Sequence, residues 1–265
     1  MRSWSTFRTV ASACAVSALL SLVLFGCPDT TLPLLSENSG NSLSDFGEGK
    51  TAGKICKFEE VRPSVPGVLV VHFIDVGQGD GMWLQLPTSD PDNPLDIIVD
   101  VGDGPSHPGD TTGDAGIVVA DYLEAHGMES GRLIEWLVVT HGDSDHYGGA
   151  ATLLGRYTVL NFMGSGFPDM SQTWQGVRSD IKGKVQMVGG EFASPVEDFP
   201  GSDSALSTPV VQAEVLWGTT TPPGNASNNS GVVLKFTAYG KSLLLTGDIG
   251  EEVEELLVAD HNNNQ

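Results

Sequence analysis

The segment Thr140-His141-Gly142-Asp143-Ser144-Asp145-His146 constrains this chain more than any other. It follows directly on 133–139, an apolar, β-branched run that reads as a buried strand. Four metal-ligand side chains fall within six positions, and Gly148-Gly149 follow. The strand fixes where the segment begins. A tight loop can then turn alternate side chains to one side, so that His141 and Asp143 share one ion and Asp145 and His146 serve a second. Histidine with carboxylate suits Zn²⁺, Mn²⁺ or Fe better than Mg²⁺ or Ca²⁺. The paired glycines let the next helix start close to the site, where its N-terminus favours an anion. The bland alternative is a polar surface loop, which this spacing behind a strand disfavours.

Around that segment the pattern alternates between strand and helix. Strands are predicted at 68–74, 82–86, 96–100, 133–139, 159–163, 185–188, 210–217, 231–238 and 242–246. Helices are predicted at 115–126, 148–157, 171–181 and 249–258, with Gly127 where a helix C-cap belongs. The Pro/Ser/Gly-rich stretches 194–209 and 218–230 read as loops. With 265 residues, one substantial domain is expected, running from 66 to 265.

The N-terminus reads as export machinery. Arg2 and Arg8 precede an uncharged apolar run, 10–25, that ends at Gly26-Cys27. This layout predicts a lipoprotein-type signal peptide over 1–27, with Cys27 lipidated, and a flexible tether over 28–65. The run is short for a membrane-spanning helix. Cys14 leaves with the signal and Cys27 carries lipid, so Cys56 is left alone and no internal disulfide can form. The expected location is outside the cytoplasm, lipid-anchored to the bacterial cell membrane or outer membrane. The net charge of -21 argues against nonspecific electrostatic binding to nucleic acid, although a metal pair could still hold one phosphate.

Several short stretches together carry a resemblance. They are Phe73-Ile74-Asp75-Val76-Gly77-Gln78-Gly79-Asp80, Ile98-Val99-Asp100-Val101-Gly102, Leu137-Val138-Val139-Thr140-His141 with Asp145-His146-Tyr147-Gly148-Gly149, Asn229-Ser230, and Leu244-Leu245-Thr246-Gly247-Asp248. In combination, over about 70–259, the chain resembles the metallo-β-lactamase superfamily, and within it the extracellular hydrolase domain of ComEC/Rec2-type competence proteins. The resemblance implies an α/β fold, a four-layer αββα sandwich with metals at the sheet edge. It also implies roles. His141 and Asp143 bind a first metal, Asp145 and His146 serve a second, and Asp248 bridges them. Asp145 is also the candidate catalytic carboxylate, and Asp100 orders the ligand loop by hydrogen bonds.

The remaining polar residues have plainer readings. Asp75 and Asp80 shape the glycine turn, His72 packs in the core and His126 caps a helix end. His107 is a weak candidate for substrate contact. Asp248 could cap the helix after it, and Asp100 could be a turn residue only.

The chain departs from the family pattern in two places. Asp143 stands where many relatives have histidine. No histidine lies between His146 and His261, and the final strand and His-His-Gly motif of competence-type relatives are missing. The domain is therefore expected to lack the C-terminal part of the sandwich. The expected function is exported, metal-dependent hydrolysis by attack of hydroxide generated at one or two divalent ions, Zn or Mn. A phosphodiester such as single-stranded DNA is the implied substrate. The alternative is a noncatalytic lipoprotein that binds a metal or a partner. No protein partner is predicted.

The export reading has a direct test. Full-length protein expressed in bacteria should be membrane-associated through Cys27, and Cys27→Ser should release it or leave the precursor uncut. A soluble cytoplasmic protein with its N-terminus intact would sink the reading.

Overall fold

In the computed structural model, which describes residues 21–24, 67–90, 92–105, 113–167, 171–193, 201–203 and 206–263, the densest apolar runs lie side by side in one sheet. Its strands are β1 (Ser21–Leu24), β2 (Leu69–Phe73), β3 (Gly81–Leu86), β4 (Leu95–Val101), β5 (Leu133–Val139), β6 (Thr158–Gly164) and β7 (Phe192–Ala193), in that spatial order. Pairing is antiparallel from β1 to β4 and parallel from β4 to β7. β1 comes from the segment read as a signal peptide; its backbone pairs with the β2 edge, Leu24 opposite Leu69. Cys14, Cys27, Cys56, the tether 28–65 and His107 lie outside the described residues.

A second sheet holds β8 (Gly201–Asp203), β9 (Val211–Trp217), β10 (Val233–Ala238) and β11 (Lys241–Leu245), all antiparallel, in the order β11-β10-β9-β8. Alternation along the strands explains the layering. Ile97 and Val99 of β4, with Leu84, Trp136 and Val138, face Val211, Ala213, Leu234 and Phe236 of the small sheet. Ile98 and Val101 point the other way, into a core shared with three helices: α1 (Ala115–Ala125), α3 (Ala150–Arg156) and α4 (Gln172–Met187). Beyond the small sheet, Val253 of α6 (Glu251–Asn263) packs with Val233 and Ile249. The result is the expected four-layer αββα sandwich.

Four local expectations need correction. Residues 185–188 are not a strand. α4 runs through to Met187, because Trp174, Ile181 and Val185 fall on one helical face and bury there. Ser171 caps its start by accepting from the Trp174 amide. The strand in this region is the two-residue β7, too short to show alternation. The predicted helix at 148–157 is present as α3, beginning at Ala150, and a separate unpredicted turn, α2 (Ser144–Tyr147), precedes it with Gly148-Gly149 between them. A Cβ on Gly149 would lie 2.4 Å from the Val101 carbonyl oxygen, so only glycine lets the chain pass there. Within the two predicted loops lie β8 and a single helical turn, α5 (Ala226–Asn229).

The helix-facing side of the large sheet carries one buried polar row. His72 stacks on Trp83, with ring centroids 4.4 Å apart, and contacts Tyr122 Oη and Gln85 Oε1. Trp83 Nε1 donates to Asp96 Oδ1 at 2.8 Å, and the Asp96 amide donates to Glu135 Oε2 at 2.9 Å. Burial drives the Asp96 carboxyl up to about 7, and Glu135 beside it adds to the rise. Glu135 is itself raised by burial, while burial and then His126 take His72 down to about 4.

This row makes stability depend on pH. The native state holds a proton on Asp96 that an unfolded chain releases near pH 4, so the Asp96 contribution to stability falls as pH rises from about 4 to 7, while the neutral buried His72 contributes in the opposite direction from about 4 to 6.5. Asp96→Asn should remove its own falling contribution, tilt the remaining dependence toward greater stability at higher pH, and make the protein more stable than wild type at about pH 8 by on the order of 2 kcal/mol. Denaturant midpoints across this range check it, and an unchanged slope in the variant would refute it.

Candidate metal centre

β4 and β5 run parallel, with Val99 opposite Val138, so their C-terminal ends leave the sheet together. Asp100 is fully buried at the first of these ends with φ of 55°, a left-handed conformation that costs a non-glycine residue about 1–3 kcal/mol. That turn aims its carboxylate across to the end of β5. Oδ1 accepts from the Thr140 amide at 2.7 Å, and Oδ2 accepts from Thr140 Oγ1 at 2.7 Å and from His146 Nδ1 at 2.9 Å. Asp100 thus holds the ligand segment at both of its ends.

These bonds also fix which atom each histidine offers. His146 gives its Nδ1 proton to Asp100, so Nε2 faces Asp248, whose Oδ1 is 3.6 Å away. Thr140 Oγ1 spends its proton on Asp100 and can only accept from His141 Nδ1, 3.2 Å away. His141 Nε2 is therefore a bare lone pair. It is buried, has no hydrogen-bond partner, and lies 3.5 Å from Asp143 Oδ2. An unsatisfied buried acceptor beside carboxylates calls for a cation. Ligand atoms of His141, His146 and Asp248 all lie within 4.8 Å of one another. The donor set, imidazole nitrogen with carboxylate oxygen, fits a divalent ion of the Zn²⁺ or Mn²⁺ kind.

The charges agree with that reading. Burial alone would lower the basicity of His146, but the Asp100 and Asp248 carboxylates outweigh it and take it up to about 11. Asp248 is held below its ordinary value by the neighbouring His146, 3.6 Å away. His141 is lowered by burial and then by the charge on His146. The pocket thus demands positive charge, while its one bare nitrogen resists taking a proton.

The other sequence candidates sit around this cluster. Asp143 lies beside His141, and Ser227 Oγ donates to its Oδ1. Asp145 is outside the three-atom group; its Oδ2 accepts from Gln78 Nε2 at 3.3 Å. Asp248 is half-exposed, on the turn after β11. Asp75 shapes the glycine turn, accepting from the Gly77 amide. His72 is a core residue, and His126 closes α1 through its Nδ1 contact with the Tyr122 carbonyl oxygen. His261 lies on α6, away in sequence from every residue of the cluster.

Asp80, expected to shape the glycine turn rather than touch metal, lies at the site. Its carboxylate lies within 4.8 Å of Asp100 and His146, and burial followed by the charge of Asp100 pushes it up to about 6. The Gly102 amide donates to the Asp80 carbonyl at 2.9 Å, which seats the 77–80 turn beside the Asp100 turn. A Cβ on Gly79 would lie 1.7 Å from the Asp145 carbonyl oxygen, so the turn rests against the ligand segment. Gln78 and Ser227 were also missed. For Asp80 and Gln78 the available signal was a Gly-x-Gly turn opening a strand that must pair with β4; for Ser227 there was none.

The family model described as "Metallo-beta-lactamase superfamily" matches residues 97–264. The chain is 28% identical over 195 residues to ComE operon protein 3 of Bacillus subtilis (strain 168), covering 70% of this chain and 23% of that protein. It thus spans about a quarter of that relative's length. Among solved structures, a Cronobacter sakazakii metallo-beta-lactamase with a mutated HARLDQ motif aligns with a TM-score of 0.39 at 16% identity, covering 66% of this chain and 58% of that one. The Rm3 metallo-beta-lactamase aligns with a TM-score of 0.36 at 14% identity, covering 66% of this chain and 56% of that one.

Asp100→Ala should destabilise the fold by about 3–5 kcal/mol, because it leaves the His146 and Thr140 donors buried without an acceptor. Chemical denaturation of the metal-free protein measures this. A loss below about 1 kcal/mol would mean that Asp100 is not the anchor of the segment.

Proposed function

The chain belongs to the metallo-beta-lactamase superfamily, and from that premise we propose that it is an exported, metal-dependent hydrolase that acts on a phosphodiester. The observation that carries the reading is the bare, buried Nε2 of His141 facing Asp143, beside His146 Nε2 and Asp248. His141, His146 and Asp248 would hold a divalent ion, with Asp143 as a further oxygen donor. Such an ion supplies Lewis acidity and lowers the pKa of a water that it binds.

The chain's own residues do the rest. Asp100 keeps a proton on His146 Nδ1 and so keeps Nε2 available. Thr140 Oγ1 does the same for His141. Asp145, oriented by Gln78 at the partly exposed rim, is placed to orient the attacking water, to accept its proton, or to help hold a second ion. An anionic substrate fits a site that carries a cation inside an otherwise acidic protein, because the cation supplies the only strong local attraction. The phosphodiester class is supported by the resemblance of 73–80 to competence-type proteins. Export and lipid anchoring are supported by the apolar run ending at Cys27.

A noncatalytic, metal-binding lipoprotein is the second reading. What favours it is that, among the described residues, only two histidines enter the cluster.

Elemental analysis should find fewer than two tightly bound ions per chain, and none in His141→Ala. Asp145→Ala should lose part of the binding, and Asp248→Asn should weaken what remains. With Mn²⁺ or Zn²⁺ supplied, the protein should cleave a generic phosphodiester faster than a thioester or a β-lactam. The reverse ranking would remove the substrate assignment, metal binding without any hydrolysis would favour the second reading, and a folded protein that takes up no metal would remove the hydrolase reading.

A further inference from the structure

Asp143 occupies the N-cap position of α2, yet its side chain makes no capping hydrogen bond. The carboxylate is held instead from across the fold. Ser227 Oγ, 84 positions away, donates to Oδ1, and Oδ2 is left facing His141 Nε2 at 3.5 Å. At 43% exposure, a carboxylate without such a partner would be free to rotate toward water.

Ser227 lies in α5, and that turn is itself fixed. Asn229 is fully buried, donates through Nδ2 to the Pro223 carbonyl at 2.8 Å, and accepts at Oδ1 from the Gly250 amide at 2.7 Å. Ser230 Oγ donates back to the Ser227 carbonyl at 2.8 Å. The Val232 amide donates to the Thr140 carbonyl at 2.8 Å, one residue before His141. α5 therefore touches the cluster on two sides: Asp143 through Ser227, and the turn carrying Asp248 through the Asn229–Gly250 bond.

We propose that Ser227 is a positioning residue that holds Asp143 Oδ2 toward His141 Nε2, so that this carboxylate serves as an oxygen donor to the divalent ion. The inference rests on the metal-site reading above. It gives the 218–230 segment, which supplies no histidine, a role in the site through a hydroxyl acting on Asp143. It also accounts for how an aspartate can act here: its shorter reach is offset by a fixed orientation.

The test is calorimetric titration of chelator-stripped full-length protein with Zn²⁺ and, separately, Mn²⁺. Ser227→Ala should weaken binding by about tenfold or more, in the range found when partners of metal ligands are removed. Ser227→Thr, which keeps the hydroxyl, should restore most of it. In an Asp143→Ala background, Ser227→Ala should cause no further loss, because the two residues act through one donor. Melting of the metal-free proteins separates this from unfolding. If Ser227→Ala does not fold, Ser227→Val, which has the shape of threonine without the hydroxyl, takes its place with the same expected loss. Wild-type affinity in the folded variant, or a full additional loss in the double variant, would overturn the inference alone. A folded wild type that binds neither ion would overturn it together with the reading on which it rests.

Discussion

The Asp100 carboxylate is the interaction on which the rest of the site depends. It is an anion with no exposure, which is costly unless its oxygens are saturated and its charge is met. Three donors from the ligand segment saturate it, and all three belong to Thr140 and His146. Neither loop could hold its shape alone. The β4 turn is strained at Asp100, and the β5 turn would leave a buried threonine and a buried histidine without an acceptor. Parallel pairing of β4 with β5 brings the two deficits together. Once joined, they determine the proton positions on both histidines and so the direction in which each lone pair points.

A second buried carboxylate on the same face of β4 shows how much the neighbours decide. Asp96 and Asp100 are four residues apart and both face the helix layer, as alternation requires. Asp96 meets Trp83, Gln85 and another acid, Glu135, and burial drives it toward the neutral form. Asp100 meets His146, whose Nδ1 proton it accepts and whose basicity the Asp100 and Asp248 carboxylates raise. One carboxylate is a structural hydrogen-bonding group with a pH-dependent energetic cost; the other anchors the loop that carries the candidate metal ligands. Strand position alone does not distinguish them. The partner loops do.

That distinction explains what the sequence made legible. The ligand segment, the strand before it and the layer architecture depend on local pattern: six apolar positions out of seven in the strand that leads to His141, and periods of two and 3.6 elsewhere. The placement of Asp100 with Thr140 was legible through the family resemblance. Asp80, Gln78 and Ser227 were not, because each reaches the site by a long-range contact; the Gly-x-Gly turn marks the loop that carries Asp80 and Gln78 but not where it docks, and nothing local marks Ser227. Asp80 depends on the pairing of β3 with β4. Ser227 depends on α5, a single turn inside a Pro/Gly/Ser-rich stretch that carries no helical period. The misread 185–188 segment has the same cause seen from the other side: Val185 looks like a strand residue until Trp174 and Ile181 are placed on its helical face.

The donor inventory then sets how many ions the site can hold well. Each histidine spends one nitrogen on structure, His146 on Asp100 and His141 on Thr140, which leaves one nitrogen each. Those two atoms converge with Asp248 on one point, and Asp143 flanks it. A second ion would have to rely on carboxylates alone or share these nitrogens. Asp145 is turned to Gln78, and both oxygens of Asp100 are already occupied. Oxygen-only coordination of a borderline ion is weaker than coordination that includes imidazole. The arrangement therefore favours one firmly held ion over two, with the exposed carboxylates of Asp143 and Asp248 left to adjust to it and to whatever anion it attracts.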